Sequence, residues 1–137
     1  MSNEGLNALR PRIINTAFHV VDLDRSSDFY VSVLGMRELM RFPLPSGEIE
    51  SVLAFPDSKG SGVILISDAS RPEPYVHGDG YSRLVLKISD LDAAVSQLRH
   101  RGVEFTKPPT AGPNGMRYAM FADPDGYIIE LLQLPKP

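Results

Sequence analysis

The tripeptide Asp22-Leu23-Asp24 recurs as Asp90-Leu91-Asp92, and the chain around each copy follows the same plan. Ile13 to Val21, before the first copy, is β-branched or aromatic at most positions. Beyond it Leu23, Phe29, Tyr30, Val33 and Leu34 fall at helical spacing. The second copy follows the aliphatic run in "SRLVLKIS" and precedes a second helical stripe, Leu91, Ala94, Val95 and Leu98. Asp22 is placed to cap the first helix with a side-chain oxygen, and Gly35 and Gly102 stand where a left-handed residue ends each one. A chain that carries this strand-to-helix unit twice is built from two copies of one module.

Each helix is followed by shorter β-like stretches broken by turn residues. In the first half these are Arg37 to Phe42, Glu50 to Phe55 and Val63 to Ser67, separated by "PLPSGE" and "PDSKGSG". In the second they are Val103 to Lys107, Met116 to Ala122 and Tyr127 to Leu134, separated by "PPTAGPNG" and "DPDG", where Pro124 and Gly126 suit a tight turn. Each half is then a β-α-β-β-β unit, too small to bury its sheet alone, so the two must pair. The predicted organisation is one domain over residues 1–137, with module one at about 13–67, a linker at 68–80 and module two at about 81–134. With 137 residues the chain can close one sizeable core but not two independent ones.

Composition removes several functions. A net charge of -3 with no run of like charges argues against nucleic-acid binding through a basic face. The absence of cysteine excludes disulfides and thiolate chemistry, leaves His, Asp and Glu as the metal ligands available, and agrees with a cytoplasmic location. The longest apolar runs, Gly62 to Ile66 and Ile128 to Leu132, fall far short of the roughly 18 residues of a membrane span. No membrane partner is expected, and "MSNEGLNALRPR" reads as a loose N-terminal arm rather than a signal peptide.

The duplicated unit, the helix motif "DL-x-RS-x-x-FY-x-x-VLGM" and the closing "DPDG-x-x-x-EL" resemble the vicinal oxygen chelate superfamily, from about Ile13 to Leu134. That group includes glyoxalase I, extradiol dioxygenases and bleomycin-resistance proteins. The resemblance implies an α+β fold, two paired β-α-β-β-β modules forming a curved mixed sheet around a cup, with helices on the outside. Dimers are common in the family, and a homodimer is expected. Its enzymes hold a divalent metal in the cup through the first and last strands of each module. The closing-motif glutamate matches Glu130. The other three positions depart from the pattern: Asn15 and Arg83 replace the first-strand ligands, and Leu65, or Ile66 in a slipped register, replaces the remaining acid. An amide, a guanidinium and an alkyl group around one carboxylate do not make a divalent site. No metal and no other cofactor is therefore expected.

Arg83 and Glu130 are the candidate catalytic pair. In one reading they form a bidentate ion pair that plugs a former metal site and keeps the sheets in register. In another, Arg83 replaces the metal as electrophile while Glu130 moves a proton. In a third, Arg83 grips an anionic or carbonyl group of a bound molecule. His19 shares a strand face with Asn15, and in glyoxalase I an arginine at the matching position contacts the substrate, so His19 is a pocket candidate. Its plainer reading is a hydrogen-bonded histidine near the rim. His77 and His100 lack partners at metal spacing, although a rewired centre of His19, Glu130 and His77 stays open. Phe55, Tyr81, Met116, Tyr118 and Met120 are expected to line the cup around a small organic ligand, though such stripes are more often plain core. The Pro- and Gly-rich segment Lys107 to Gly115 is a candidate cover.

Two functions follow: a glyoxalase/bleomycin-resistance-like protein that binds or sequesters a small organic molecule in a metal-free cup, or a lyase, isomerase or epimerase that uses Arg83 and Glu130. A metal-dependent glyoxalase- or dioxygenase-like enzyme with rewired ligands is the further alternative.

Overall fold

The computed structural model of the protein describes residues 5–58 and 61–137. The first module runs β1 (Asn15–His19), α1 (Leu23–Asp28), β2 (Arg37–Pro43), β3 (Ile49–Ala54) and β4 (Gly62–Ser67). The second repeats the order as β5 (Leu84–Lys87), α2 (Leu91–His100), β6 (Phe105–Ala111), β7 (Arg117–Ala122) and β8 (Ile128–Gln133). Each module makes its own four-stranded sheet, in the orders β1-β4-β3-β2 and β5-β8-β7-β6. In both, the first strand runs parallel to the last and the other neighbours are antiparallel. The α+β architecture of paired modules is thus two mixed sheets.

The repeated aspartates do the same work in both copies. Asp22 Oδ1 accepts from the Arg25 amide, and Asp90 Oδ1 from the Ala93 amide, each at 3.0 Å. Each satisfies a donor that the first turn leaves without an intrahelical partner. Gly35 and Gly102 take φ of 88° and 87°, a left-handed conformation that ends the helices without a Cβ clash. The first helix does not stay α-helical: it widens into a π turn over Phe29–Val33, with the Leu34 amide bonded to the Phe29 carbonyl at 3.2 Å. That turn buries the Tyr30 ring completely.

Some boundaries differ from those expected. Ile13 and Ile14 lie outside β1 and are exposed, because the pairing with β4 begins at Asn15 opposite Gly62. Most of the segment expected as a cover belongs to β6, which reaches Ala111 and contains Pro108 and Pro109. An edge strand tolerates prolines because its outer amides have no partner to lose, and the pairing with β7 is irregular there.

Alternation divides each strand between two faces. Phe18, Val20, Val63 and Leu65 of the first module join Leu91, Leu98, Phe121, Ile129 and Leu131 of the second in one buried cluster on the helix-bearing side. Ala17, His19, Met120 and Glu130 therefore take the opposite face.

The two modules are joined through the Asp123–Tyr127 turn. Asp123 Oδ1 accepts from the amides of Asp125 and Tyr127, both at 2.9 Å, which folds the turn on itself. Its Oδ2 accepts from the Tyr30 hydroxyl at 2.8 Å. Asp125 accepts from the Val21 amide at 2.8 Å and from Ser26 Oγ and Arg25 Nη2 at 3.1 Å. The Tyr127 hydroxyl donates to the His19 carbonyl at 2.6 Å. Among the described residues, no helix is long and apolar enough to cross a membrane.

Candidate functional site

Glu130 lies in the middle of β8, with Val85 of β5 and Met120 of β7 in register on either side. Its flanking residues Ile129 and Leu131 are buried on the helix side, so the carboxylate points to the other face. Arg83, just before β5, covers it. The Arg83 Nε donates to Glu130 Oε1 at 3.0 Å, with the guanidinium side chain 38% exposed and the carboxylate side chain 8%. The contact is single rather than the bidentate fork expected, because Arg83 Nη1 donates instead to Ser82 Oγ at 2.8 Å. Ser82 is a neighbour that sequence reasoning passed over.

Met120 and Tyr118 continue this face, Tyr118 standing in register with Leu132. The Lys107 ammonium lies 5.3 Å from the centre of the Tyr118 ring, within cation-π range. Met116 falls just before β7, where its carbonyl accepts from the Gly112 amide at 2.8 Å. Together these residues give a carboxylate–guanidinium pair bordered by aromatic and thioether surface.

Other candidates stand elsewhere. Phe55 is on the helix side, packed against the shared core cluster and lining a hollow with Leu131. Tyr81 meets Tyr127 edge-on, with ring centres 6.0 Å apart. Burial, then the charge of Asp123, raises its phenol pKa. His19 places Nε2 3.4 Å from Glu48 Oε2 and stacks on Tyr75 at 5.1 Å, while the Arg71 guanidinium lies 4.3 Å from the Tyr75 ring centre. His77 stacks on Tyr127 at 3.9 Å. Among the described residues, no hydrogen bond or ion pair joins Asn15 or His19 to Arg83 or Glu130. Asn15 Oδ1 is buried with no hydrogen-bond partner among the described residues.

The four positions expected from the family resemblance as metal ligands are not a divalent donor set here. Leu65 faces the core, Ile66 is an alkyl side chain, Asn15 offers an amide, and Arg83 occupies the Glu130 oxygen with a positive charge. Among the described residues, no three His, Asp or Glu side chains gather into a metal-binding cluster, the rewired His19, Glu130 and His77 set included.

Burial also shifts titratable groups at the module junction, where the sequence motif suggests only a turn. Burial raises the Asp123 pKa, against the lowering effect of its hydrogen bonds from Tyr30 and the Tyr127 and Asp125 amides. Burial, then the charge of Asp123, pushes the Tyr30 phenol far above its ordinary range, and burial pushes Tyr127 up to about 12. The two carboxylates of "DPDG" were a readable signal for this junction, but their partners Tyr30, Ser26 and Val21 lie about a hundred residues away.

Two β-α-β-β-β modules with a helix on one face of each sheet are the architecture of the vicinal oxygen chelate proteins. The chain belongs to the Glyoxalase/Bleomycin resistance protein/Dioxygenase superfamily, whose family model matches residues 12–131. It is 30% identical over 123 residues to a probable lactoylglutathione lyase of Synechocystis sp., covering 88% of this chain and 94% of that protein. A probable lactoylglutathione lyase of Vibrio cholerae is 32% identical, with coverage of 89% and 90%. Among solved structures, glyoxalase I from Zea mays superposes with a TM-score of 0.80 at 26% identity, over 91% of this chain but 45% of the maize chain, so this chain spans under half of it. TnmS3, an antibiotic binding protein from Streptomyces sp. CB03234, superposes with a TM-score of 0.70 at 29% identity, over 92% of this chain and 97% of that one.

Proposed function

We propose that this protein binds a small organic molecule in a metal-independent cup, with Arg83 gripping an anionic or carbonyl group of the ligand. The observation that carries this reading is the single-point Arg83–Glu130 contact. Glu130 fixes the guanidinium through Nε and Ser82 holds Nη1, while Nη2 makes no hydrogen bond to any of the described residues and the side chain is 38% exposed. A guanidinium anchored on one edge and open on another is a preorganised anion or carbonyl site. Tyr118 and Met120 supply apolar surface for the rest of the ligand. The similarity to an antibiotic binding protein over nearly the full length of both chains supports binding as the function. A homodimer is part of this proposal, since a second copy would cover the sheet faces opposite the helices.

The second reading is a lyase or isomerase in which Arg83 stabilises an oxyanion and Glu130 transfers a proton. The relatives named lactoylglutathione lyase favour it.

The test is a thermal-shift and NMR screen of small carbonyl and carboxylate compounds, combined with elemental analysis of the purified protein. The binding reading expects saturable uptake without product, lost in Arg83→Ala. A stoichiometric transition metal that disappears in Glu130→Gln would overturn metal independence, and a time-dependent product peak would move the protein to the second reading.

A further inference from the structure

Charge on the second sheet is unbalanced. The charged residues within β5 to β8 are Lys87, Lys107, Arg117 and Glu130. Arg117 belongs to the helix side, where it donates to both carboxylate oxygens of Asp92 in α2 at 3.0 Å. On the opposite face Arg83 already meets the Glu130 carboxylate, and the Lys107 ammonium lies against the Tyr118 ring. Lys87 is exposed and makes no ion pair with any described residue.

Strand register places that unmatched cation beside the candidate site. Val85 stands next to Glu130 and Lys87 next to Leu132, and the neighbours of Glu130 and Leu132 on β7 are Met120 and Tyr118. Residues paired across a sheet share a face, as do residues two apart on one strand. Val85 and Lys87 therefore face the same way as Glu130, and Arg83 joins them through its hydrogen bond to that carboxylate. Extended chain puts the Cα atoms of Arg83 and Lys87 roughly 13 Å apart. Between the two cations lie Glu130, which Arg83 covers, and the apolar side chains of Val85 and Leu132, Val85 being 46% exposed.

From this geometry we infer that the ligand of the Arg83 site carries two anionic groups at opposite ends of an extended apolar body. One carboxylate meets Arg83, the body crosses Val85 and Leu132, and the second carboxylate meets Lys87. The inference rests on the binding role proposed for Arg83 and specifies what that site takes. A monoanion leaves Lys87 to water alone, whereas a long diacid engages both ends. The lysine stem is flexible enough to follow the second carboxylate, while the arginine is fixed by Glu130 and Ser82.

The experiment is a calorimetric and NMR titration of the full chain with biphenyl-4-carboxylate and biphenyl-4,4′-dicarboxylate. Wild type is expected to bind the diacid more tightly than the monoacid by more than the twofold that its two equivalent ends give. Lys87→Gln should weaken the diacid about fivefold, the scale of one partly exposed ion pair, and leave the monoacid unchanged, with Lys87→Arg restoring the difference. Arg83→Ala should weaken both. Equal losses for the two probes in Lys87→Gln, or no loss for the diacid, would overturn the two-anion ligand while leaving the Arg83 site standing. If neither probe binds wild type, or both bind Arg83→Ala as they bind wild type, the Arg83 site falls and this inference with it. Lys87 is exposed and unpaired among the described residues, so its substitution leaves the fold intact for the comparison.

Discussion

Arg83 and Glu130 show how a partly covered ion pair sets the physics of a site. A carboxylate with little exposure needs its charge met, and in this chain a guanidinium meets it through one hydrogen bond. Removing the partner leaves the carboxylate short of a donor. Arg83→Ala is expected to destabilise the fold by about 1–2 kcal/mol in urea denaturation, at the lower end for charge-assisted bonds because the arginine is partly in water. Glu130→Gln should cost less, since its amide oxygen still accepts from Nε. A larger loss for the glutamine variant would show that the pair's charge, rather than the filled hydrogen bond, is the main stabilising contribution.

At the scale of elements, the Asp123–Tyr127 turn is the joint of the molecule. Tyr30→Phe deletes one donor to a buried carboxylate, and a loss of about 2 kcal/mol is expected by chemical denaturation. Since Tyr30 lowers the Asp123 pKa, the same variant should raise it further. The pH dependence has a definite sign. With its folded-state pKa raised by burial above the ordinary aspartate value, Asp123 binds a proton in the native state over a window where the unfolded chain has released it. Its contribution is therefore complete below that value and lost as pH rises through the folded pKa. Asp123→Asn should remove this falling component from the pH–stability curve. Asparagine keeps an oxygen for the Asp125 and Tyr127 amides, so the slopes can be compared in folded protein. An unchanged slope in the variant would assign the dependence to other groups.

At the scale of the whole molecule, the sheets turn one face to a shared core and the other outward. Met40 of β2 and Val85 of β5, together with Ile13 ahead of β1, are exposed apolar residues that the isolated chain leaves in water. A second copy is the expected cover. Sedimentation at micromolar concentration should give a mass near twice 15.1 kDa, and a monomer with a folded spectrum would remove the homodimer from the proposed function.

What could be read from the sequence follows from what is local. The Asp22 and Asp90 caps, the left-handed glycines and the alternation that set Glu130 opposite Ile129 and Leu131 depend on residues a few positions apart, so periodicity and turn chemistry determined both modules and the face of the key acid. The limits of β6 and the π turn at Phe29 were not legible, because sheet-edge pairing and the packing of Tyr30 override local preference. Tertiary structure alone decided that Phe55 belongs to the helix side, that His19 goes to Glu48 and Tyr75, and that Asp123 and Asp125 reach across to the first module. Those placements depend on long-range packing, including how the two sheets dock, which is set by burial and by hydrogen bonds between residues distant in the chain, for which a linear pattern carries no period.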